Sequence, residues 1–176
     1  MTWTAPRPRR TVHLTDLATL DERPTLQGWL TWHRETLLAK CAGLDGKQLA
    51  RTTAEPSTLT LLGLVRHLAE VERSWFRRML DGESVGEVHD GPADGDEGLE
   101  GVEPAHAERD FARYHAEIAA CDAAAARYAL DDTFQPPGVD VPLSLRWLYV
   151  LMIQEYARHN GHADLLRERT DGATGD

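Results

Sequence analysis

Apolar residues recur at intervals of three and four along four stretches of the chain, which is the spacing of one face of a helix. No stretch shows the strict alternation of a strand, so the pattern predicts an all-α fold, a single four-helix bundle. The four faces are Leu26, Leu30, His33, Leu37 and Cys41; Leu61, Leu64, His67, Leu68, Val71, Trp75 and Met79; Phe111, His115, Ile118, Ala119, Asp122 and Ala126; and Leu148, Met152, Glu155, His159, Ala163 and Leu166.

The helical pattern also divides the chain. Residues 1–24 contain helix-breaking prolines and are expected to form an extended lead-in, residues 25–169 the bundle, and residues 170–176 a flexible tail. Gly43 and Gly46 are stop signals for the first helix. Helix caps are expected at Thr25, at Ser57 or Thr58, and at Ser144 or Asp140.

The formal net charge of −10 is concentrated in one connection of the bundle. Nine acidic residues and no Lys or Arg fall between Asp81 and Glu103, among several glycines. Such a composition predicts a long, solvated crossover loop rather than a packed element, with His89 in solvent. The rest of the chain carries no basic face, so we expect no nucleic-acid partner.

Cysteine usage and hydropathy indicate the compartment. The two cysteines, Cys41 and Cys121, are far apart, which excludes a disulfide framework or a cysteine-rich zinc site and favours a reducing environment. No apolar run reaches the roughly 18 residues of a membrane span, and the first residues lack the apolar core of a secretory signal. We therefore expect a cytoplasmic protein without a membrane partner, either a monomer or a homodimer.

Three side chains on two of the apolar faces have the chemistry of a metal site. Glu155 and His159 are four residues apart, so they lie on one side of the fourth helix. His67 lies on the apolar face of the second helix, which a bundle can bring opposite this pair. A carboxylate on an apolar face is costly unless it is paired or bound to a metal. The spacing predicts one divalent metal with three protein ligands, the pattern of a catalytic site.

Alternatives to this site remain open from the residues alone. His162 could replace Glu155 in a pair with His159, or it could orient a metal ligand by a hydrogen bond without binding the metal itself. The histidines could instead be hydrogen-bonded core residues, and Glu155 could form a surface pair with Arg158. The remaining histidines are weaker candidates: His33 and His115 near the core, and His13, His89 and His106 in predicted loops.

Three segments resemble the DinB-like superfamily, and within it an actinobacterial branch of unknown function related to mycothiol S-transferases. They are Trp32-His33-Arg34, the string PSTLTLLGLVRHLAEVERSWFRRML at 56–80 and the string EYARHNGHADLLRER at 155–169. The resemblance spans residues 25–169. It implies an up-down-down-up four-helix bundle.

The resemblance also implies a metal triad of one His on the second helix and an HxxxH pair on the fourth. His67 and His159 match the outer positions, and His162 falls where many relatives have Gln. Glu155 departs from the His of the pattern, as in the mycothiol-dependent maleylpyruvate isomerase. The C-terminal domain of that isomerase has no counterpart in this sequence, which argues against the isomerase reaction.

The resemblance implies a divalent-metal-dependent transferase that attaches a low-molecular-weight thiol, mycothiol, to an electrophilic small molecule. The cation would hold the thiol as its thiolate. Zinc suits histidine and carboxylate ligands, and nickel, iron or manganese occupy similar sites. Two alternatives are another metal-dependent enzyme of specialised metabolism, such as an isomerase or a hydrolase, and a non-catalytic stress protein that binds a metal or ligand.

Overall fold

Helices make up most of the chain, which confirms the all-α prediction. The structure is a computed structural model and describes residues 2–89, 99 and 101–175. Its α-helices are α1 (Glu22–Cys41), α2 (Gly46–Leu49), α3 (Leu61–Glu72), α4 (Ala107–Ala125) and α5 (Leu145–Asp171). A π-helical stretch, Arg73–Leu80, continues α3, and short 3-10 helices lie at Leu14–Thr19 and Pro104–His106.

The long helices pack side by side around one core. Helix α1 packs along α5, and α3 packs along α4. Helix α3 also contacts α1 and α5, so its whole length, Leu61–Glu72, is buried. The apolar faces predicted for the first, second and fourth long helices line this core, because leucines at helical spacing meet between the helices. The face predicted for the third is wrong except at Phe111 and the partly buried Ile118. Helix α4 instead buries residues such as Tyr114 and Cys121.

One very small antiparallel ladder accompanies the helices. Strands β1 (Thr133–Phe134) and β2 (Leu143–Ser144) form an antiparallel ladder in the loop before α5, with Thr133 opposite Ser144 and Phe134 opposite Leu143. A strand of two residues is too short to show an alternating pattern, so the sequence carries no periodic signal for it.

Two of the expected helix caps lie elsewhere. Helix α1 begins at Glu22, directly after Asp21, so that Pro24 lies in its first turn. Proline is tolerated there, because the N–H groups of the first turn have no hydrogen-bond partner within the helix and the missing N–H of Pro24 costs nothing. Helix α3 is capped by Thr60, whose Oγ1 accepts a hydrogen bond from the N–H of Gly63 at 2.9 Å. The cap of α5 at Ser144 is confirmed by its bond from the N–H of Trp147.

The two predicted stop glycines have different roles. Gly43 follows α1 with a φ of +81°, a left-handed conformation that favours glycine. Gly46 instead opens α2, where a Cβ atom would lie 2.1 Å from the carbonyl oxygen of Pro104. Glycine is required at position 46 because another segment of backbone approaches it closely.

The π-helical stretch shifts the face that α3 presents to the core. The 3.6-residue period predicts that Trp75 and Met79 point inward, but Phe76 and Leu80 are the buried residues, with 1% and 6% exposure. A π-helix bonds residue i to i+5, so each turn holds more residues than an α-turn and the face advances along the sequence. Trp75 and Met79 therefore lie at the edge of the core.

The N-terminal residues pack against the helices. The N–H of Ala5 donates to the carbonyl of Leu44 at 2.9 Å, and Ala5 is buried. Arg10 donates to the carbonyl of Trp32 at 2.9 Å and lies over the ring of that tryptophan. The N–H of Thr11 donates to Glu35 at 3.0 Å. The segment lies along α1.

The prediction of a solvated acidic crossover is wrong for Val88 and His89, which are buried, whereas residues 81–87 are exposed or partly exposed. Residues 90–98 and 100 lie outside the described part of the chain. Glu83 pairs with Arg77 at 2.7 Å and Glu87 pairs with Arg78 at 3.4 Å. These arginines end the helical stretch after α3 and neutralise the acids that follow. Val88 and His89, which follow these acids, are buried.

The expectation that His89 is solvated is therefore wrong as well. Its side chain is almost wholly enclosed, with 6% exposure for the residue. Burial, together with nearby arginines such as Arg66 and Arg113, lowers the pKa of His89 to about 3. The ring is consequently neutral in the folded protein.

Glu70 anchors the start of the crossover to α3. Its Oε2 accepts the N–H of Val88 at 2.6 Å, and Oε1 accepts from Arg78 at 3.0 Å. Burial, reinforced by a hydrogen bond with Glu87, raises the pKa of Glu70 to about 7.

Replacing Glu70 with Gln should remove a pH dependence of stability. The pKa of Glu70 is higher in the folded than in the unfolded chain, so its contribution is complete below pH 4.5 and is lost as the pH rises through 7. From pH 5 to pH 8 the unfolding free energy of the wild type should fall by about 2 kcal/mol relative to Glu70→Gln, measured by urea denaturation. If the difference in unfolding free energy between the wild type and Glu70→Gln stayed constant with pH, the raised pKa of Glu70 would be contradicted.

A network of polar side chains joins the four long helices, and its members are buried except Asp122, whose side chain is 56% exposed. Nε of Arg34 on α1 donates to Glu72 on α3 at 2.8 Å, and Nη1 donates to Asp122 on α4 at 2.9 Å. The hydroxyl of Tyr156 on α5 donates to Glu72 at 2.6 Å and lies 3.0 Å from the hydroxyl of Tyr114. Every long helix therefore contributes a polar group to the same enclosed cluster.

The substitution Arg34→Met should destabilise the fold strongly. It leaves the fully enclosed carboxylate of Glu72 without its cation, and removing one partner of a buried pair costs about 3–5 kcal/mol. The measurement is the unfolding free energy in urea. Arg146→Met is the matched control, because Arg146 pairs with Glu22 and Asp131 in solvent and should leave the midpoint almost unchanged. Equal losses of unfolding free energy for Arg34→Met and Arg146→Met would show that the buried pair contributes no more to stability than the exposed one.

Candidate metal centre

The three predicted ligands come together where α3 passes α5. His67 lies in the middle of α3, and Glu155 and His159 lie one turn apart on α5. The imidazole rings of His67 and His159 are buried, whereas the side chain of Glu155 keeps 22% exposure at the edge of the core. The site therefore has one side toward solvent.

The donor atoms of these side chains converge. Nε2 of His159 lies 2.9 Å from Oε1 of Glu155, and Nε2 of His67 lies 3.5 Å from the same oxygen. One ligand atom from each residue can be chosen so that all three lie within 4.8 Å of one another. Zinc bonds of about 2.0–2.2 Å place its ligand atoms about 3–4 Å apart, so only small side-chain rotations are needed.

The chemistry of the donor set also fits a divalent cation. Two imidazole nitrogens and one carboxylate oxygen are the protein ligands of an open catalytic zinc site. Burial, and to a lesser degree the neighbouring His67, lowers the pKa of His159, although Glu155 opposes the shift. The neutral imidazole that this shift favours is the form that coordinates a metal.

His162 lies beside His159 rather than beside Glu155. Its Nδ1 lies 3.3 Å from Nδ1 of His159, and the two rings are tilted by 72°. The converging group found among the described residues contains His67, Glu155 and His159 but not His162. Of the two alternatives open from the sequence, the geometry favours the one in which His162 contacts His159 and orients it, rather than the one in which His162 is itself a metal ligand.

The other candidate residues lie away from this cluster. Nδ1 of His33 lies 3.3 Å from the amide nitrogen of Asn160, which confirms the expected core hydrogen bond. His115 is exposed on α4, so the expectation that it lies near the core is wrong. The alternative of a surface pair of Glu155 with Arg158 is not what the structure shows, because Glu155 contacts the two histidines. His13 and His106 are exposed, as predicted.

Neither cysteine of the chain is available as a nucleophile. Cys41 and Cys121 are free thiols with no exposed surface. Burial raises the pKa of Cys41 to about 12 and raises the pKa of Cys121 even more. Neither thiol is therefore suited to act as a nucleophile, because the thiolate is the reactive form.

Two tryptophans meet farther along the same pair of helices. The rings of Trp75 and Trp147 have centroids 5.7 Å apart, and Trp147 is 41% exposed. Trp75 follows His67 by eight residues and Trp147 precedes Glu155 by eight, which in helices corresponds to about 12 Å along the axis. An aromatic surface thus lies at the rim of the seam that holds the candidate ligands.

The buried partners next to the site were not identified from the sequence. Tyr156 follows Glu155 directly and bonds Glu72, which in turn holds Arg34. Helical spacing carried a signal for two of them, since Glu72 is four residues after Leu68 and Arg34 is four after Leu30. A charge that continues an apolar face indicates a buried pair.

The fold and the converging side chains define a helical protein with a candidate centre of two histidines and one carboxylate. The family model of the mycothiol-S-transferases matches residues 25–172, and the chain belongs to this DinB-like family. The resemblance seen in the sequence is thereby confirmed. No curated protein and no solved structure gives a significant match to the chain. Among the described residues, no helix has both the length and the apolar character needed to cross a membrane.

Replacing His159 with Ala should abolish metal binding. The wild type and His159→Ala are purified without a histidine tag, reconstituted with zinc, desalted and analysed for metal. The wild type should carry about one metal per chain, whereas the variant, with only two of the three protein ligands, should carry almost none. His115→Ala is the control, because it removes an exposed histidine outside the cluster. Equal metal content in the wild type and His159→Ala would show that these residues are only core structure.

Proposed function

We propose that the protein transfers a low-molecular-weight thiol, mycothiol, to an electrophilic small molecule, with a divalent metal held by His67, Glu155 and His159. The membership of the mycothiol-S-transferase family supports the reaction class. The observation that carries the proposal is the convergence of three ligand atoms within 4.8 Å at the seam of α3 and α5. Zinc is the proposed metal, because it suits this mixed set of nitrogen and oxygen ligands.

Each ligand would have a distinct task. His67 and His159 offer nitrogen lone pairs from enclosed rings, so their direction is fixed by the helices that carry them. Glu155 adds a negative charge and lies at the open edge of the site. When bound, a divalent cation stabilises the thiolate of the co-substrate near neutral pH. The partial burial of the ligands limits the access of water to that thiolate.

The thiol and the electrophile are both substrates in this proposal. The two cysteines of the chain are enclosed and protonated, which supports an external thiol. Trp75 and Trp147 offer an aromatic surface along the same seam, where we place the apolar part of the electrophile.

We further propose the up-down-down-up order for the four long helices, with residues 25–169 as the bundle. This order makes α3 and α4 parallel, and the two helices pack against each other. Parallel neighbours need a long connection between the end of one helix and the start of the next. The chain provides such a connection between Leu80 and Pro104.

Zinc-loaded protein should conjugate mycothiol to monochlorobimane, which becomes fluorescent when a thiol displaces its chloride. The rate should exceed that of the metal-free protein and of His159→Ala, because neither can hold the thiolate. His115→Ala should keep the wild-type rate. The readout is the initial fluorescence increase at several protein concentrations.

Equal rates with and without metal, in a wild type that demonstrably binds zinc, would overturn the transferase proposal. A second thiol, such as cysteine, is assayed in parallel under the same conditions. Faster conjugation of cysteine than of mycothiol would retain a metal-dependent transferase but refute mycothiol as its thiol.

A further inference from the structure

The two ring nitrogens of His159 face two different partners. Nε2 points to the candidate metal ligands and lies 2.9 Å from Oε1 of Glu155. Nδ1 lies 3.3 Å from Nδ1 of His162, which is three residues later on α5. His159 is buried and His162 is half-buried, so the contact between the two rings is largely screened from water.

The number of protons on His159 determines what His162 can do. A neutral imidazole carries one N–H, and a ring whose Nε2 lone pair binds a cation must carry its proton on Nδ1. This N–H then needs an acceptor, and Nδ1 of His162 is within hydrogen-bond distance. His162 can accept if its own proton is on Nε2, so the contact selects one tautomer for each ring without changing the charge of either.

We propose that His162 is a positioning residue that accepts a hydrogen bond from Nδ1 of His159 and thereby keeps Nε2 of His159 directed at the metal. The inference rests on the proposed metal site and adds a determinant of its affinity. The ring centroids of His159 and His162 lie 5.2 Å apart and the ring planes are inclined by 72°, an edge arrangement rather than a stack. His162 is absent from the group of converging ligand atoms, which separates this role from that of a fourth ligand.

The test compares His162→Ala with His162→Gln. Alanine removes the acceptor, whereas the amide oxygen of glutamine can accept the same hydrogen bond. Zinc affinity is measured by competition with a chromophoric chelator. Loss of an outer hydrogen bond to a metal-bound histidine typically weakens affinity by about 10- to 100-fold, and we expect a loss in this range for His162→Ala. His162→Gln should stay within about threefold of the wild type.

His115→Ala is the matched control, because His115 is an exposed helical histidine far from the converging group in sequence and should leave zinc affinity unchanged. The thermal midpoint of each metal-free variant reports whether its fold is intact. Wild-type affinity in a folded His162→Ala would overturn the positioning role. An equal loss in His162→Ala and His162→Gln would also overturn it, because the acceptor would then be irrelevant.

Cobalt substitution separates positioning from ligation. At saturating cobalt, His162→Ala should show the visible absorption bands of the wild type, because the set of ligands is the same. A change in band position or intensity would make His162 a ligand and refute the proposal. If the wild type binds no metal, the metal site itself fails; if it binds metal but conjugates no thiol, only the proposed reaction fails and the affinity comparison stands.

Discussion

The buried contact between Arg34 and Glu72 is the interaction on which the rest of the structure depends. A guanidinium and a carboxylate, both almost without solvent, hold each other between α1 and α3, and each also binds a side chain from another helix. Charges in such a position are costly unless their hydrogen bonds are satisfied together. Helices α1 and α3 must therefore keep one mutual arrangement, because sliding either of them would leave a buried charge without its partner.

This network lies directly behind the candidate metal centre. Tyr156, which holds Glu72, is the neighbour of Glu155, and its hydroxyl is fixed by a second tyrosine, Tyr114. The position of the α5 backbone at Glu155 and His159 is thus determined by polar contacts on the core side of the helix. A cluster of ligands benefits from such support, since a metal site requires accurate positions of its donor atoms.

The spacing of apolar residues predicted the helices, and it placed His67, Glu155 and His159 on the inner faces of α3 and α5, because leucines mark those faces clearly. It did not predict the inner face of α4, where alanines lie on both sides of the helix and give no contrast. It did not predict the cap at Thr60, since several neighbouring hydroxyl residues could serve equally and the tertiary fold selects one. It missed the buried residues of the acidic crossover, since composition reports the average of a segment and not the pairing of Glu83 with Arg77. The buried ionic network was visible in the spacing only as charges on apolar faces.

The π-helical stretch Arg73–Leu80 gives one short segment three separate tasks. Phe76 and Leu80 fill the core, Arg77 and Arg78 bind the crossover, and Trp75 meets Trp147 on α5. All three sets of contacts depend on the extra residues in each turn of the π-helix, so the same helical rotation positions all of these side chains. The ends of helices usually tolerate gains and losses of residues, but a deletion of one residue here would rotate all three sets of side chains at once. In this protein the length of the segment is therefore constrained together with the identities of its residues.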